Sequence, residues 1–238
     1  MAFYQKNFLS YSHNAFIKSQ LFNVELIFLK PYHNNRSLVL FLYEGGATMQ
    51  NKIVVYTGPM FSGKTTALLG AYERATIAHK KVLAFKPQLD NRFGENVIKS
   101  RKFGEVQAIS ITNLEELLKY DVDVYIIDEF QFLEGDIKVL LELVDTRGKS
   151  IYVSGLDMTA ERKPFGLMPE LLAIADCVQK FVAVCHDCDE EKAIYSYYLG
   201  RKDTDIVVGN TEYIPLCRKC MQKRLHADEE HIKKHNDR

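Results

Sequence analysis

"KIVVYTGPMFSGKTTALLGAYERATIAHK", Lys52 to Lys80, decides the fold because its hydrophobic period changes partway along. Up to Thr57 the run is β-branched and apolar, as in a strand buried on both faces. From Thr65 onward apolar residues recur at helical spacing. Between the two lie Gly58, Gly63, Lys64 and Thr65, which satisfy G-x-x-x-x-G-K-[ST]. Triphosphate oxygens need several N–H donors converging at short range, and Cβ atoms obstruct that approach, so glycines flank the loop. The helix that follows turns unpaired N–H groups and its positive dipole end toward the anion. Lys64 is expected to reach the terminal phosphates and the Thr65 hydroxyl to ligate Mg²⁺.

Outward from this stretch the alternation continues. "KVLAF" is strand-like; "NLEELLKY" opens on the N-cap Asn113 and repeats at helical spacing. "VDVYIIDE" is a buried strand ending in carboxylates, "DIKVLLELVDTRG" a helix closed by Gly148, and "SIYVSGL" another strand. "PELLAIAD" is a short helix with Pro169 in its first turn, and "CVQKFVAVC" a strand in which Cys177 reads as a core residue. Alternating strands and helices predict an α/β fold, a mostly parallel sheet covered on both faces. No internal repeat or low-complexity tract interrupts it.

Residues 1–48 differ. They scatter aromatics without a clean period, carry one strand-like run, "SLVLFLY" (37–43), and end in the loop-like "YEGGAT". They read as an N-terminal extension, arising from an upstream start codon. The expected boundaries are 1–48 extension, 49–180 nucleotide-binding core, 181–224 metal lobe and 225–238 charged tail.

Hydrophobic residues make up 47% of the 238 and charged residues 26%, so a packed core is expected. The 31 basic and 31 acidic residues cancel, which removes any bulk electrostatic case for a polyanionic partner. No stretch approaches the ~20 apolar residues of a membrane span, and the first thirty residues lack the plan of a secretory signal. A cytoplasmic protein with neither nucleic-acid nor membrane partner is the expectation.

"VDVYIIDEF" places Asp128 at the sheet's C-terminal edge beside the glycine loop, where a carboxylate holds Mg²⁺ through water. Glu129 follows, and at a strand end it can turn toward the cleft and accept a proton from an attacking hydroxyl. Cys185, Cys188, Cys217 and Cys220 form two C-x-x-C pairs 28 residues apart. Four thiolates suit tetrahedral Zn²⁺ with no open position, hence a structural site. Redox-active dithiols, unligated core cysteines, or His186 in place of one sulfur, are the alternatives. The charges around the knuckles read as a solvated rim. The tyrosines between them, Tyr195, Tyr197, Tyr198 and Tyr213, read individually as hairpin packing, on a loop suited to closing over a ligand.

Together "TGPMFSGKT", "KPQLDNR" (86–92), "DEFQF", "GLDMTAERKPFG" and the cysteine pairs around "GNTEYIPLCRKC" resemble the cytosolic, zinc-containing (type II) thymidine kinases over roughly residues 50–222. The resemblance implies a RecA-like P-loop core, a zinc lobe whose lasso loop covers the nucleoside, and a homotetramer. It implies transfer of the γ-phosphoryl group of ATP to the 5′-hydroxyl of thymidine, with deoxyuridine a further acceptor. Glu129 takes the general-base position, and Arg92, with Asp90, the segment facing phosphates and metal. Nucleotide contacts are implied at Gly58, Pro59, Met60, Phe61, Ser62, Gly63, Lys64, Thr65, Asp90, Asp128, Glu129, Phe130 and Gln131. Nucleoside contacts are implied at Phe132 and Phe165 as walls, Met60 and Leu156 near the base's methyl, and Tyr213 with Ile206, Val207, Val208 and Gly209 of the lasso. Ala160 departs from a frequent aromatic and loosens that wall; "IKSRKFGE" (98–105) replaces the usual histidine-containing turn. The competing class is a P-loop ATPase whose zinc ribbon grips nucleic acid, which calls for a basic surface or stacking aromatics beside the ribbon.

Overall fold

The computed structural model describes residues 16–18, 24–27, 41–44, 51–90, 94, 96–100, 104–200 and 212–236. The chain divides into two compact units, Met1–Thr48 and Met49–Arg238. In the first, β1 (Phe16–Lys18), β2 (Val24–Ile27) and β3 (Phe41–Glu44) form an antiparallel sheet in that order. Of the strand expected over residues 37–43, the last three belong to β3 and the rest lie outside the described residues.

The second unit opens with β4 (Ile53–Thr57), the glycine loop and α1 (Lys64–Ile77). Next come β5 (Val82–Pro87), a hairpin of β6 (Val97–Ser100) and β7 (Gly104–Gln107), and β8 (Ile109–Ile111). After a 3₁₀ turn over Leu114–Lys119 come β9 (Val124–Ile127), α2 (Lys138–Leu141) and β10 (Ser150–Gly155). Then α3 (Met168–Ile174) leads to β11 (Cys177–Lys180). The main sheet has the order β11-β4-β10-β9-β5-β8, and every pairing in it is parallel.

The strands are apolar on both faces because both faces are covered. Ile53 and Val55 of β4, with Tyr125 and Ile127 of β9, pack against Leu140, Leu143, Met168 and Leu171. Their alternates Val54, Tyr56, Val124 and Ile126 meet Leu68, Leu69, Ala71 and Ala75 of α1. A register slip of one residue in β4 would exchange these two sets.

Three local expectations are corrected. "NLEELLKY" forms the tighter 3₁₀ turn, with Glu116 accepting the backbone N–H groups of Thr112 (2.9 Å) and Asn113 (3.4 Å). "DIKVLLELVDTRG" is helical only through α2 and widens into a π-type turn over Glu142–Thr146, with the Arg147 N–H bonding the Glu142 carbonyl. Cys177 is exposed: β11 is the edge strand beside β4, and all four of its residues face solvent.

Beyond β11 the chain builds a small lobe. β12 (Ala183–Val184) pairs antiparallel with β13 (Glu191–Ala193), and β14 (Tyr195–Tyr198) with β15 (Tyr213–Leu216); α4 (Arg218–Asn236) follows. Ala183, Ala193, Ile214, Leu216 and Met221 make its core with three of the four cysteines, Cys185, Cys217 and Cys220.

Candidate active site and metal centre

The turns after β4, β5, β9 and β10 leave the same end of the parallel sheet, where α/β folds place their ligands. A cavity of about 960 Å³ opens there. Gly58 enters the glycine loop at φ +135°, and a Cβ on it would lie 2.3 Å from the Phe181 carbonyl oxygen, so only glycine fits. Gly63 (φ +89°) turns the chain into α1 without a side-chain cap, and no acidic residue occupies the helix's first turn. The helix end is thus left electropositive. Lys64 folds back over the loop, its Nζ donating to the Pro59 carbonyl at 2.7 Å, and Ser62 Oγ donates to the same oxygen at 2.8 Å.

Asp128, 6% exposed, lies across from this helix end. Thr65 Oγ1 donates to it at 3.3 Å, the Glu129 N–H at 3.0 Å, and Ser154 Oγ from β10 also donates. A hydroxyl and a carboxylate meeting here are hard oxygen donors of the kind magnesium takes, so the pair fits that ion. Glu129 sits at φ 50°, ψ 41°, the left-handed region, rare for a residue with a side chain. Gln131 donates through Nε2 to Glu129 Oε2 at 2.6 Å and accepts the Leu156 N–H on Oε1 at 2.9 Å.

Asp90 pairs at 3.4 Å with Lys86, a lysine of β5 with no exposed surface, which also donates to the carbonyls of Gly94 (3.0 Å) and Val97 (3.2 Å). A buried ammonium needs such partners, and here they fix the segment that carries Asp90.

On the far side of the cavity the rings of Phe132 and Phe165 meet edge to face at 5.4 Å, and Leu156, Ala160 and Tyr213 line the same space. Tyr213 packs against Tyr198 at 5.2 Å. Ser196 Oγ of β14 accepts the Met60 N–H at 2.9 Å and so ties the cysteine lobe to the glycine loop.

Met60, Phe61, Gly63, Lys64, Thr65, Asp90, Asp128, Glu129, Gln131, Phe132, Leu156, Phe165 and Tyr213 therefore share one cavity. Phe130 does not join them: it is wholly buried in the core beneath the sheet. Arg92 and the segment from Ile206 to Gly209 lie outside the described residues. Sequence reasoning missed Lys86, Ser154 and the Ser196 contact. The first two carried a signal, a lysine and a serine inside otherwise apolar strands.

The Sγ atoms of Cys185, Cys188, Cys217 and Cys220 all lie within 4.8 Å of one another. Cys188 and Cys217 are 3.9 Å apart. Tetrahedral zinc with Zn–S of about 2.3 Å demands S–S edges of about 3.8 Å, so the set fits that metal. Burial pushes the Cys220 thiol up to about 12; against burial, backbone N–H groups led by that of Cys217 bring Cys185 down to about 6. Thiols this crowded do not all ionise until a dication shares their charge. His186 stands apart, exposed and bonded to Asp187 at 3.1 Å. The rim charges are organised: Arg224 of α4 grips Asp187 with two bonds of 2.7 and 2.8 Å, holding that carboxyl at about 2, and covers the Tyr197 ring.

Residues 51–221 match the family model described as thymidine kinase. The chain is similar to the thymidine kinase of Pseudothermotoga lettingae, 38% identical over 180 residues that cover 74% of this chain and 97% of the relative. It is 42% identical to that of Porphyromonas gingivalis over 178 residues (73% and 86%). With that of Bacteroides fragilis it shares 35% over 184 residues (76% and 92%). With a glycine loop, an acidic pair and a four-cysteine lobe converging as they do, the chain belongs to the thymidine kinase family.

Proposed function

We propose that the chain transfers the γ-phosphoryl group of ATP to the 5′-hydroxyl of thymidine, giving thymidine monophosphate and ADP. The observation that carries this reading is the single cavity holding Lys64, Thr65, Asp128 and Glu129 at one side and the Phe132–Phe165 wall at the other. A bond forms between the 5′-oxygen and the γ-phosphorus, the bond from that phosphorus to the β,γ-bridging oxygen breaks, and the hydroxyl proton passes to the Glu129 carboxylate. The loop amides and Lys64 hold the triphosphate, and the thymine ring lies against Phe132 and Phe165. Thr65 and Asp128 would hold magnesium, which when bound would neutralise charge on the phosphates. The four cysteines hold structural zinc. Arg92 and the lasso residues 206–209 take the roles that family resemblance implies, as do deoxyuridine acceptance, a cytoplasmic location and a homotetrameric assembly.

The ATPase alternative is not favoured, since Arg224 is engaged with Asp187 and Arg218 covers the Tyr195 ring within the lobe. The deciding assay follows ADP release from Mg·ATP with each natural nucleoside in turn, and separately with DNA. Thymidine-dependent release is expected; DNA-dependent release without nucleoside phosphorylation would overturn the reading. Glu129→Gln should lower kcat by about 10²- to 10⁴-fold while ATP still binds, and undiminished turnover would remove Glu129 from the role of base.

A further inference from the structure

We infer that Gln131 is a positioning residue for Glu129, and that it joins the nucleoside wall to the base. The inference rests on the reading of Glu129 as the base and gives Gln131 a role distinct from the nucleotide contact that the resemblance implies.

Gln131 is 3% exposed, so its amide must find partners inside the protein. The Leu156 backbone N–H can only donate, which identifies the side-chain atom facing it at 2.9 Å as the oxygen. The other arm is therefore NH₂, and it can only donate to the Glu129 carboxylate, at 2.6 Å. Its orientation follows from the backbone just beyond β10 and is not a free choice.

Two glycines leave room for this bridge. A Cβ on Gly155 would come within 3.0 Å of Gln131 Oε1, and one on Gly166, at φ +49°, would lie 2.3 Å from the Gln131 backbone oxygen. Glu129 itself holds a left-handed backbone, a strained conformation for a residue with a side chain. A strained residue at the mouth of a cavity keeps its conformation only when its surroundings impose it, and the Gln131 amide grips the side chain that must be aimed. Leu156 and Phe132 flank the bridge and line the cavity, so a nucleoside seated there presses on the element that aims the base.

The test uses the full-length protein with zinc and Mg·ATP, as wild type, Gln131→Met, Gln131→Glu, Glu129→Gln, and Gln131→Met combined with Glu129→Gln. Gln131→Met keeps the bulk and removes the bridge. It should lower kcat by about 10- to 100-fold, with KM for thymidine and for ATP within about twofold of wild type. Because Gln131 acts through Glu129, adding Gln131→Met to Glu129→Gln should cost no more than about a further twofold. An unchanged kcat overturns the inference. So do a raised KM with kcat preserved, which marks a direct substrate contact, and equal losses in both backgrounds, which mark a structural role.

Should Gln131→Met fail to melt cooperatively, Gln131→Glu decides. It keeps the acceptor for Leu156 and removes the donor, so the same fall in kcat is expected and a wild-type kcat overturns the inference. Full turnover by Glu129→Gln, or no thymidine phosphorylation by the wild type, would instead sink the reading beneath it.

Discussion

Replacing Ser196 by alanine tests whether the cysteine lobe is tied to the phosphate loop. Ser196 lies on β14 and is 6% exposed; its hydroxyl accepts the Met60 N–H at 2.9 Å, across 136 positions of sequence. Alanine deletes that oxygen and leaves a half-buried loop amide without its acceptor, a loss of about 1 kcal/mol, the low end of the range for a buried group. Both partners in this contact line the cavity, as does Tyr213, so the loss falls on the closed arrangement that holds the nucleoside. Converted at 1.4 kcal/mol per decade, it predicts thymidine binding weaker by about fivefold. Calorimetric titration of thymidine into wild type, Ser196→Ala and Ser196→Thr measures it directly. Threonine keeps the hydroxyl and should stay within about threefold of wild type. If Ser196→Ala binds thymidine as the wild type does, the lobe is held closed by something else and the reasoning fails.

Two further outcomes are expected. Chelating zinc should open the Cys185–Cys220 segment to protease and weaken thymidine binding more than ATP binding, because the glycine loop belongs to the sheet and not to the lobe; equal loss of both refutes that division. Thr112, chiefly through its backbone N–H, holds the Glu116 carboxyl below its ordinary range, so its stabilisation is present above about pH 4.5 and drains away as the pH falls through the folded value. Glu116→Gln should therefore lower unfolding free energy by about 0.5–1 kcal/mol at pH 7 and by progressively less as the pH is taken below about 4.5, read from a series of urea melts.

The parts of this protein legible from sequence are those whose cause is local. The period change at Thr57, the two glycines before Lys64 and the spacing of the cysteines each follow from neighbouring residues, and the structure places them as the sequence reading expects. Cys177 misleads because a strand's apolar period does not say whether it lies inside a sheet or at its edge. The helix expected at Asn113 tightens to 3₁₀ where Glu116 takes up nearby amides, and the one expected after Asp136 widens into a π-type turn before Gly148. Neither choice is visible in a hydrophobic pattern. Gln131 was legible as a member of "DEFQF" but not as a bridge, since its partner Leu156 reaches it only once β10 and β9 are paired.

The cysteine lobe lies entirely downstream of the sheet, and this bears on how the protein is made. β11 ends at Lys180, so every strand of the main sheet has been translated before Cys185 is added. The 28 residues between Cys188 and Cys217 take about 1–6 s to synthesise. Newly made chains therefore pass through a stage with every sheet strand translated and half a set of thiols, and a metal held by all four cysteines would enter at a late step of biogenesis. If that metal is the zinc proposed above, a chain completed without it would keep its glycine loop and lack an ordered lobe, a shortfall that later metal could repair without new translation.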